Sequence, residues 1–276
     1  MEIDVKKLRA EFKEPHEVLT TSDGITLFLR KWESQSPSNK AILILHGITA
    51  YSGPYEIFGN PFSKFGFHTL GLDLRGHGLS DGIRGDYPSK ERLVKDLVET
   101  VSFLKTKFNS LLILGHSLGV FNALIAAKNT NEKIDGLILL SAGKSVRPGA
   151  YKTPSVLQKL KILFSSILSP SKPVINYYRE GIQGLDDPLF NFKYTLRFMK
   201  LFSVKKFDLS EELDLPIILG VGELDELFSV ESAKTLLDEI NSNDKEFFTM
   251  PGAKHAEGFT SESFKKLQSW LTSKYS

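Results

Sequence analysis

Residues 111–119 read Leu-Leu-Ile-Leu-Gly-His-Ser-Leu-Gly, and an apolar, alanine-containing segment, residues 121–128, follows them. The apolar residues before the first glycine predict a buried strand, and the following segment predicts a helix. A G-x-S-x-G pattern between a strand and a helix is typical of a sharp turn that exposes the serine hydroxyl. Bulky side chains at Gly115 or Gly119 would clash in such a turn. The stretch predicts Ser117 as a nucleophile, the alternative being a glycine–serine loop that caps a helix.

Short apolar runs recur along the chain in alternation with helical patterns. Besides residues 111–114, seven runs predict strands, at 17–21, 25–32, 41–45, 67–72, 137–140, 217–221 and 247–250. Apolar stripes at a spacing of three or four residues predict helices around 93–104, 233–237 and 264–271. Strands that are apolar throughout are typical of a sheet covered on both faces. We therefore predict an α/β fold with a mainly parallel eight-stranded sheet and helices on both faces.

One segment, residues 144–208, interrupts this alternation. It contains no clear strand, and its helical fragments are separated by prolines at positions 148, 154, 170, 173 and 188. Because it lies between two predicted strands, we predict a helical cap inserted over the carboxyl ends of the strands. On this interpretation residues 1–143 and 209–276 form the core domain, and residues 144–208 form the cap.

The composition bounds the class of protein. A chain of 276 residues fits one large domain, or one domain that carries an insertion. The net charge of +2 is too small to argue for nucleic acid, and the absence of cysteine excludes disulfides and thiolate metal ligands. Residues 1–17 lack the apolar core of a signal peptide, and no run approaches the ~20 apolar residues of a membrane span. We expect a cytoplasmic protein that needs no metal or cofactor.

The order of residues along the chain restricts the base that a serine nucleophile needs. A serine hydroxyl is weakly nucleophilic until a base, itself oriented by a carboxylate, accepts its proton. In the α/β-hydrolases, which carry their serine on such a turn, the chain order is Ser, then Asp or Glu, then His. Of the six histidines, only His255 follows Ser117. It lies in a loop after the last predicted strand, and we predict it as the general base.

The orienting carboxylate is expected on a loop at the carboxyl end of a strand, where side chains from neighbouring strands converge. The strand predicted at 217–221 is followed by Gly-Glu-Leu-Asp-Glu, residues 222–226. We predict Asp225 as the acid, with Glu223 and Glu226 as alternatives that we interpret as solvated loop charges. The acid would hold the imidazole in its productive tautomer and stabilise the imidazolium.

Acyl transfer also needs hydrogen-bond donors for the developing oxyanion. One is expected to be the backbone N–H of Leu118, which follows the nucleophile. The second should come from the loop after the strand at 41–45, where the N–H of Ile48 is the natural donor. His46 and His116 flank this site, and we interpret both as packing and local hydrogen-bonding residues.

At this point the sequence resembles a known family. The motifs that carry the resemblance are His46-Gly47, Ser52-Gly53-Pro54-Tyr55, Leu72-Asp73-Leu74-Arg75-Gly76-His77-Gly78-Leu79-Ser80, Gly115-His116-Ser117-Leu118-Gly119, Gly222-x-x-Asp225 and Lys254-His255. They are similar to those of the monoacylglycerol lipase and lysophospholipase branch of the α/β-hydrolases, over nearly the whole chain except 144–208. The resemblance implies the α/β-hydrolase fold, a triad of Ser117, Asp225 and His255, and oxyanion donors at Ile48 and Leu118.

Two departures from the family pattern concern the surroundings of the nucleophile. Relatives usually carry a small residue where this chain has Val120, so the turn must accommodate a β-branched side chain. Many relatives have Gly-Glu-His where residues 48–51 read Ile-Thr-Ala-Tyr. The second departure predicts a reshaped pocket, so the resemblance is a better guide to the mechanism than to the substrate.

The 144–208 segment is strongly basic. It contains twelve Lys or Arg and four Asp or Glu residues, a net charge of +8, whereas the whole chain carries +2. Leu157, Leu160, Phe164 and Ile167 fall at helical spacing, with two lysines between them, at 159 and 161. Such a helix could lie on an anionic lipid surface, or its apolar face could pack onto the core domain, and we favour packing. The surrounding aromatic residues predict an apolar pocket roof: Tyr177, Tyr178, Phe190, Phe192, Tyr194, Phe198, Phe202 and Phe207.

These features together predict a serine carboxylester hydrolase for monoacylglycerols or similar single-chain esters, acting through an acyl-enzyme. An aminopeptidase or a haloperoxidase-like enzyme of the same fold is an alternative. A non-catalytic small-ligand receptor that retains the triad is another. The expected partner is a small ester or lipid, with peripheral contact between the basic cap and an anionic membrane as the alternative to packing, and no nucleic acid is expected.

Overall fold

Ten strands are found in the computed structural model, which describes residues 3–150, 155–179, 181–201 and 209–275. The strands are His16–Thr20 (β1), Thr26–Trp32 (β2), Lys40–Leu45 (β3), His68–Asp73 (β4), Ser110–His116 (β5), Gly136–Leu140 (β6), Ile175–Asn176 (β7), Lys193–Tyr194 (β8), Ile217–Gly222 (β9) and Lys245–Met250 (β10). Eight of them form one sheet in the order β1-β2-β4-β3-β5-β6-β9-β10. The pairs β1–β2 and β2–β4 are antiparallel, and the other neighbours are parallel.

The described helices are Val5–Glu11 (α1), Glu56–Lys64 (α2), Lys90–Lys105 (α3), Leu118–Asn129 (α4), Val156–Leu168 (α5), Leu196–Leu201 (α6), Val230–Glu239 (α7) and Ser261–Tyr275 (α8). Several begin at a serine, as the sequence favours: the side chain of Ser89 accepts the N–H of Arg92 at the start of α3. In the same way Ser229 accepts the N–H of Ser232 at the start of α7. None of the described helices is long and apolar enough to cross a bilayer.

Apolar side chains of the sheet enter two separate cores, one on each face. In β3, Leu43 and Leu45 belong to the core covered by α3, α4 and α7, whereas Ile42 and Ile44 belong to the core covered by α2 and α8. This alternation follows from the two-residue period of a strand. Both faces of the central strands are therefore buried, and the loops at their carboxyl ends are left to carry polar chemistry.

The predicted α/β fold is confirmed, with its mainly parallel eight-stranded sheet and helices on both faces. Each of the eight predicted strands is present, with ends that shift by one or two residues. Two helices, α1 and α2, were not predicted. Helix α1 has no buried residue, and α2 contains Pro61 within it, a residue that is unfavourable in a helix interior.

The intervening segment, residues 144–208, is not purely helical, which corrects the prediction. The strands β7 and β8 form a separate antiparallel pair within it, and two residues each are too few for an alternating pattern. The rest of its described part holds the helices α5 and α6. It is fastened to loops of the core, since the N–H of Asn191 donates to the Thr49 carbonyl at 2.9 Å and the Arg197 guanidinium pairs with Asp86. The predicted boundary at 208/209 falls at the edge of the described residues.

Candidate active site

The turn that carries Ser117 is strained and tightly enclosed. Strand β5 ends at His116 and helix α4 begins at Leu118, while Ser117 between them has φ 55° and ψ −116°. A left-handed φ in a non-glycine residue is costly and is concentrated at functional positions. A Cβ at Gly119 would lie 1.9 Å from the Leu45 carbonyl oxygen, and one at Gly115 would lie 2.3 Å from the Gly119 carbonyl oxygen. The two glycines therefore let β3, β5 and α4 meet at the serine.

We expect Gly119→Ala to lower the free energy of unfolding by about 3 kcal/mol or more, because the new methyl group meets backbone that cannot move aside. Urea unfolding followed by circular dichroism measures the loss. Gly149→Ala is the matched control, since a Cβ there meets nothing within 4 Å. Its only expected cost is that of an alanine in the left-handed backbone conformation of this residue, about 1 kcal/mol. Equal stabilities of the two variants would contradict this account of the turn.

Three residues from separate loops meet at the nucleophile. The Oγ of Ser117 lies 2.9 Å from Nε2 of His255, and Nδ1 of the same ring lies 3.0 Å and 3.2 Å from the two carboxylate oxygens of Asp225. A carboxylate can only accept, so Nδ1–H donates to Asp225 and Nε2 is left to accept the serine proton. Asp225 follows β9 and His255 follows β10, so parallel strands bring all three residues to one edge of the sheet.

The Asp225 carboxylate is buried and well supplied with donors. One of its oxygens accepts the N–H groups of Leu227 and Phe228 at 2.8 and 2.9 Å in addition to the histidine. Burial alone raises the pKa of this carboxyl, but the bonds from His255 and from the two N–H groups outweigh burial and lower the pKa below its ordinary value. The side chain is therefore an anion that faces the imidazole at neutral pH.

The two alternative acids occupy different positions. Glu223 accepts the N–H of Gly252 at 3.2 Å, and Glu226 accepts the backbone N–H of His255 at 3.0 Å. Neither carboxylate hydrogen-bonds the imidazole, whose Nδ1 is taken by Asp225. Glu226 is nevertheless not the free, solvated charge that the sequence suggested, because its other oxygen pairs with Arg179.

Two backbone N–H groups beside the nucleophile have no acceptor within the described part of the chain. They belong to Ile48 and Leu118, the predicted oxyanion donors. The loop that carries the first lies against the serine, since a Cβ at Gly47 would be 3.4 Å from the Cβ of Ser117. Donors left free at such a position are suited to a negative oxygen on the carbon that the serine attacks.

A chain of hydrogen bonds connects this loop to the loop of the base. The N–H of Gly47 donates to the Tyr55 hydroxyl at 2.7 Å, and the hydroxyl lies 2.8 Å from Nδ1 of His116. The other nitrogen of His116 lies 2.8 Å from the His255 carbonyl, which can only accept, so Nε2–H donates and Nδ1 accepts from the tyrosine. His116 has the local hydrogen-bonding role that was predicted. Tyr55 was part of a family motif but was given no role, because only the fold brings it here.

Three buried histidines make stability depend on pH, since burial lowers the pKa of His77 well below its ordinary value as it does for His46 and His116. His46 accepts the N–H of Leu74 on Nε2, so it must stay neutral, as His116 must. Burial lowers the pKa of His46 to about 4 and the pKa of His116 to about 3. All three pKa values lie below the ordinary value for histidine. When the pH falls below about 6.5, the unfolded chain therefore binds protons that the folded chain does not bind, and the folded state loses stability.

We therefore expect the free energy of unfolding to fall by about 1 kcal/mol for each of the three rings between pH 6.5 and 5.5. Asp73, whose pKa burial raises to about 6, takes up a proton in the folded state and offsets part of this loss. Urea titrations at pH 7.5, 6.5 and 5.5 measure the trend. A free energy that stays constant or increases towards pH 5.5 would contradict it.

A pocket that is open to solvent lies directly above the serine. Its lower wall is largely apolar and includes Ile57, Phe58 and Phe259, whereas the intervening segment contributes Tyr177, Arg179, Ile182, Gln183 and Phe190. Among the described residues, its lining holds one guanidinium and no carboxylate. The described residues also contain no cluster of three or more potential metal ligands.

The predicted aromatic roof is only partly present. Tyr177 and Phe190 line the pocket, whereas Tyr194 and Phe198 are fully buried and stack on each other at 4.7 Å between ring centroids. The last two residues of the predicted set, 202 and 207, lie outside the described residues. Aromatic density therefore reflects the packing of this segment onto the core as much as the pocket wall.

Comparison with known families places most of the chain in one of them. The model of the family described as serine aminopeptidase S33 matches residues 36–258, well over half of the chain. The chain belongs to this family. The hydrolase is 26% identical to monoglyceride lipase of Rattus norvegicus over 258 residues, which cover 87% of this chain and 82% of the relative. It is 25% identical to monoglyceride lipase of Homo sapiens over 280 residues, with 94% and 90% covered.

Solved structures of monoacylglycerol lipases share the fold of this hydrolase. A soluble variant of monoglyceride lipase from Saccharomyces cerevisiae superimposes with a TM-score of 0.76 at 20% identity, covering 96% of each chain. Monoacylglycerol lipase from Paleococcus ferrophilus superimposes with a TM-score of 0.70 at 24% identity, covering 90% of this chain and 98% of the other. The resemblance that the motifs predicted is thus confirmed, and the relatives place the protein among α/β-hydrolases of the lipase and esterase type.

Proposed function

We propose that the protein is a serine carboxylester hydrolase for monoacylglycerols or similar single-chain acyl esters. The observation that carries this proposal is the continuous hydrogen-bonded series from Ser117 through His255 to Asp225 at the floor of an open, mainly apolar pocket. Nucleophile, base and orienting acid have the geometry that activates a serine hydroxyl.

The reaction follows from the tautomer of the base. His255 takes the Ser117 proton on Nε2 as the serine oxygen attacks the ester carbonyl carbon. The N–H groups of Ile48 and Leu118 stabilise the oxyanion, and Asp225 stabilises the imidazolium. The imidazolium then protonates the leaving alkoxide, and water deprotonated by the same nitrogen hydrolyses the acyl-enzyme. The neutral His116 cannot compete for these protons, since burial lowers its pKa to about 3.

The charge of the pocket favours an ester over a peptide with a free amino terminus. A substrate ammonium group needs carboxylates, and the described lining offers the Arg179 guanidinium and no carboxylate. The apolar wall formed by Ile57, Phe58 and Phe259 suits an acyl chain. These features support ester hydrolysis although the family takes its description from an aminopeptidase.

A chain-length series tests the substrate class. We expect kcat/KM to rise from p-nitrophenyl acetate to medium and long acyl esters, and 1-monoacylglycerols to be hydrolysed, because each additional buried methylene contributes about 0.8 kcal/mol. Aminoacyl p-nitroanilides serve as the competing substrates. Faster cleavage of the anilides than of every ester would reject the proposal in favour of an aminopeptidase.

We propose further that residues 144–208 form a cap and that helix α5 within it contacts an anionic membrane. The sequence favoured packing of α5 onto the core, but the helix has no buried residue. Its large apolar side chains face solvent, with exposed fractions of 77% for Leu157, 63% for Phe164 and 81% for Leu168. Lys159 and Lys161 are also exposed. An exposed apolar helix in a strongly basic segment is suited to anionic headgroups and the adjoining acyl region.

Binding to vesicles of phosphatidylcholine with phosphatidylserine tests this contact by sedimentation. We expect Lys159→Gln with Lys161→Gln to weaken binding about 10-fold or more, since each lysine near the surface contributes about 1 kcal/mol. Lys90→Gln with Lys95→Gln on α3 is the matched control with the same change in charge. Binding that is insensitive to salt and equal in the two double variants would reject the membrane contact.

A further inference from the structure

The loop that carries the base is held at three points. Asp225 binds the imidazole, the N–H of His116 Nε2 donates to the His255 carbonyl at 2.8 Å, and Glu226 accepts the His255 backbone N–H at 3.0 Å. The first anchor orients the ring, whereas the other two fix the peptide groups on either side of its Cα. The position of Nε2 relative to the serine therefore depends on Glu226 as well as on the acid.

Glu226 is itself held from outside the core. Its Oε2 binds the N–H of His255, and its Oε1 accepts from Nη1 of Arg179 at 2.6 Å. Arg179 belongs to the intervening segment, is only 8% exposed, and also lines the pocket above the serine. One carboxylate thus joins the loop of the base to the segment that covers the substrate.

We infer that Glu226 is a positioning residue for the base. We infer also that Arg179 makes the position of Glu226 depend on how the intervening segment lies over the substrate pocket. This inference rests on the proposed function, since it concerns the same base and the same pocket. With Arg179 in place, the Glu226 carboxylate is held where it accepts the His255 N–H. When the segment moves away, Glu226 loses its second partner and the base loses one of its three anchors.

The charges of Glu226 and Arg179 should have opposite effects on the imidazolium of the base. Asp225 and Glu226 come from the loop after β9, Arg179 comes from the intervening segment, and the neutral His116 comes from the nucleophile turn. The other charged side chains on the described part of these loops point elsewhere: Arg147 donates to the Asp225 carbonyl, Glu223 accepts the N–H of Gly252, and Lys254 and Glu257 pair at the surface. Removing Glu226 leaves a nearby positive charge that disfavours the imidazolium, and removing Arg179 leaves a negative charge that favours it.

Ester hydrolysis by the full chain tests the inference, with kcat, KM and the pH dependence of kcat/KM measured for each variant. We expect Glu226→Ala to lower kcat about 10-fold or more with little change in KM, and Glu226→Gln, which keeps an acceptor oxygen, to lower it less. The acidic limb of the pH profile should move to lower pH in Glu226→Gln and to higher pH in Arg179→Met, by about half a unit. Arg179→Lys, which keeps the positive charge, should return the acidic limb to its wild-type position. Glu257→Gln, the control two residues beyond the base, should behave as wild type.

The outcomes separate this inference from the function on which it rests. If wild type does not hydrolyse esters, or Ser117→Ala hydrolyses them equally well, the proposed function fails. If wild type is active and Ser117→Ala is not, but the Glu226 variants keep the wild-type kcat, the positioning role is wrong. If kcat falls but the acidic limbs of Glu226→Gln and Arg179→Met shift in the same direction, or neither limb shifts, the coupling through Arg179 is wrong.

Discussion

Replacing Ser117 by alanine is expected to lower kcat for p-nitrophenyl ester hydrolysis by about 10⁴-fold or more. The variant removes the only hydroxyl that lies 2.9 Å from Nε2 of His255 within the described site, and so removes the acyl-enzyme pathway. Alanine has the same Cβ, so the strained turn keeps its geometry. Steady-state assays with an excess of substrate measure the loss, and circular dichroism verifies the fold.

Ser141 offers a matched control for this substitution. It is the other non-glycine residue with positive φ in the described chain, also 55°, and it is fully buried at the end of β6. Its hydroxyl has no hydrogen-bond partner in the described structure, so Ser141→Ala removes a serine oxygen without touching the proposed chemistry. Activity that survives in Ser117→Ala, or disappears equally in both variants, would contradict the assignment of the nucleophile.

The Asp225→Asn variant is expected to show the second largest effect, a fall in kcat of about 10³–10⁴-fold with a modest change in KM. The amide cannot hold Nδ1–H as an anion does, so it favours the wrong tautomer and leaves the imidazolium without its counter-charge. The buried carboxylate also accepts two backbone N–H groups, so a loss of thermal stability should accompany the loss of activity.

Glu223→Gln is the control for the acid, because Glu223 lies two residues away on the same loop but binds the N–H of Gly252. It should retain nearly wild-type kcat. An Asp225→Asn variant with full activity would show that another carboxylate orients the base. The geometry leaves no candidate for that role in the described chain, since Nδ1 contacts only Asp225.

Local sequence was enough to predict the fold and the residues that meet at its centre. The run at 111–119 requires a strand, a tight turn and a helix in that order, and parallel strands bring loops from distant parts of the chain to the same edge. Chain order then left His255 as the only base, and the position after β9 favoured Asp225 over its neighbours. Each of these steps depends on chain order or strand position, which a single sequence reveals.

Other parts of the site depend on contacts that no local pattern encodes. Tyr55, directly before α2, reaches His116 at the end of β5, and Arg179 reaches Glu226 from a position 47 residues away in the chain. The amphipathic pattern of α5 was visible in the sequence, but amphipathicity alone cannot tell a helix that packs on a core from one that faces solvent. The structure places its apolar face outside.

Covalent trapping tests the central proposal most directly. The intact protein is mixed with a fluorophosphonate, and the peptide that contains Ser117 is examined by mass spectrometry, while a p-nitrophenyl ester is followed for a burst of product. We expect phosphonylation at Ser117, loss of ester hydrolysis in proportion to labelling, and no labelling in Ser117→Ala or after prior acylation. A protein that binds the ester without turnover and leaves Ser117 unmodified would be a receptor that retains the triad, and would contradict the account.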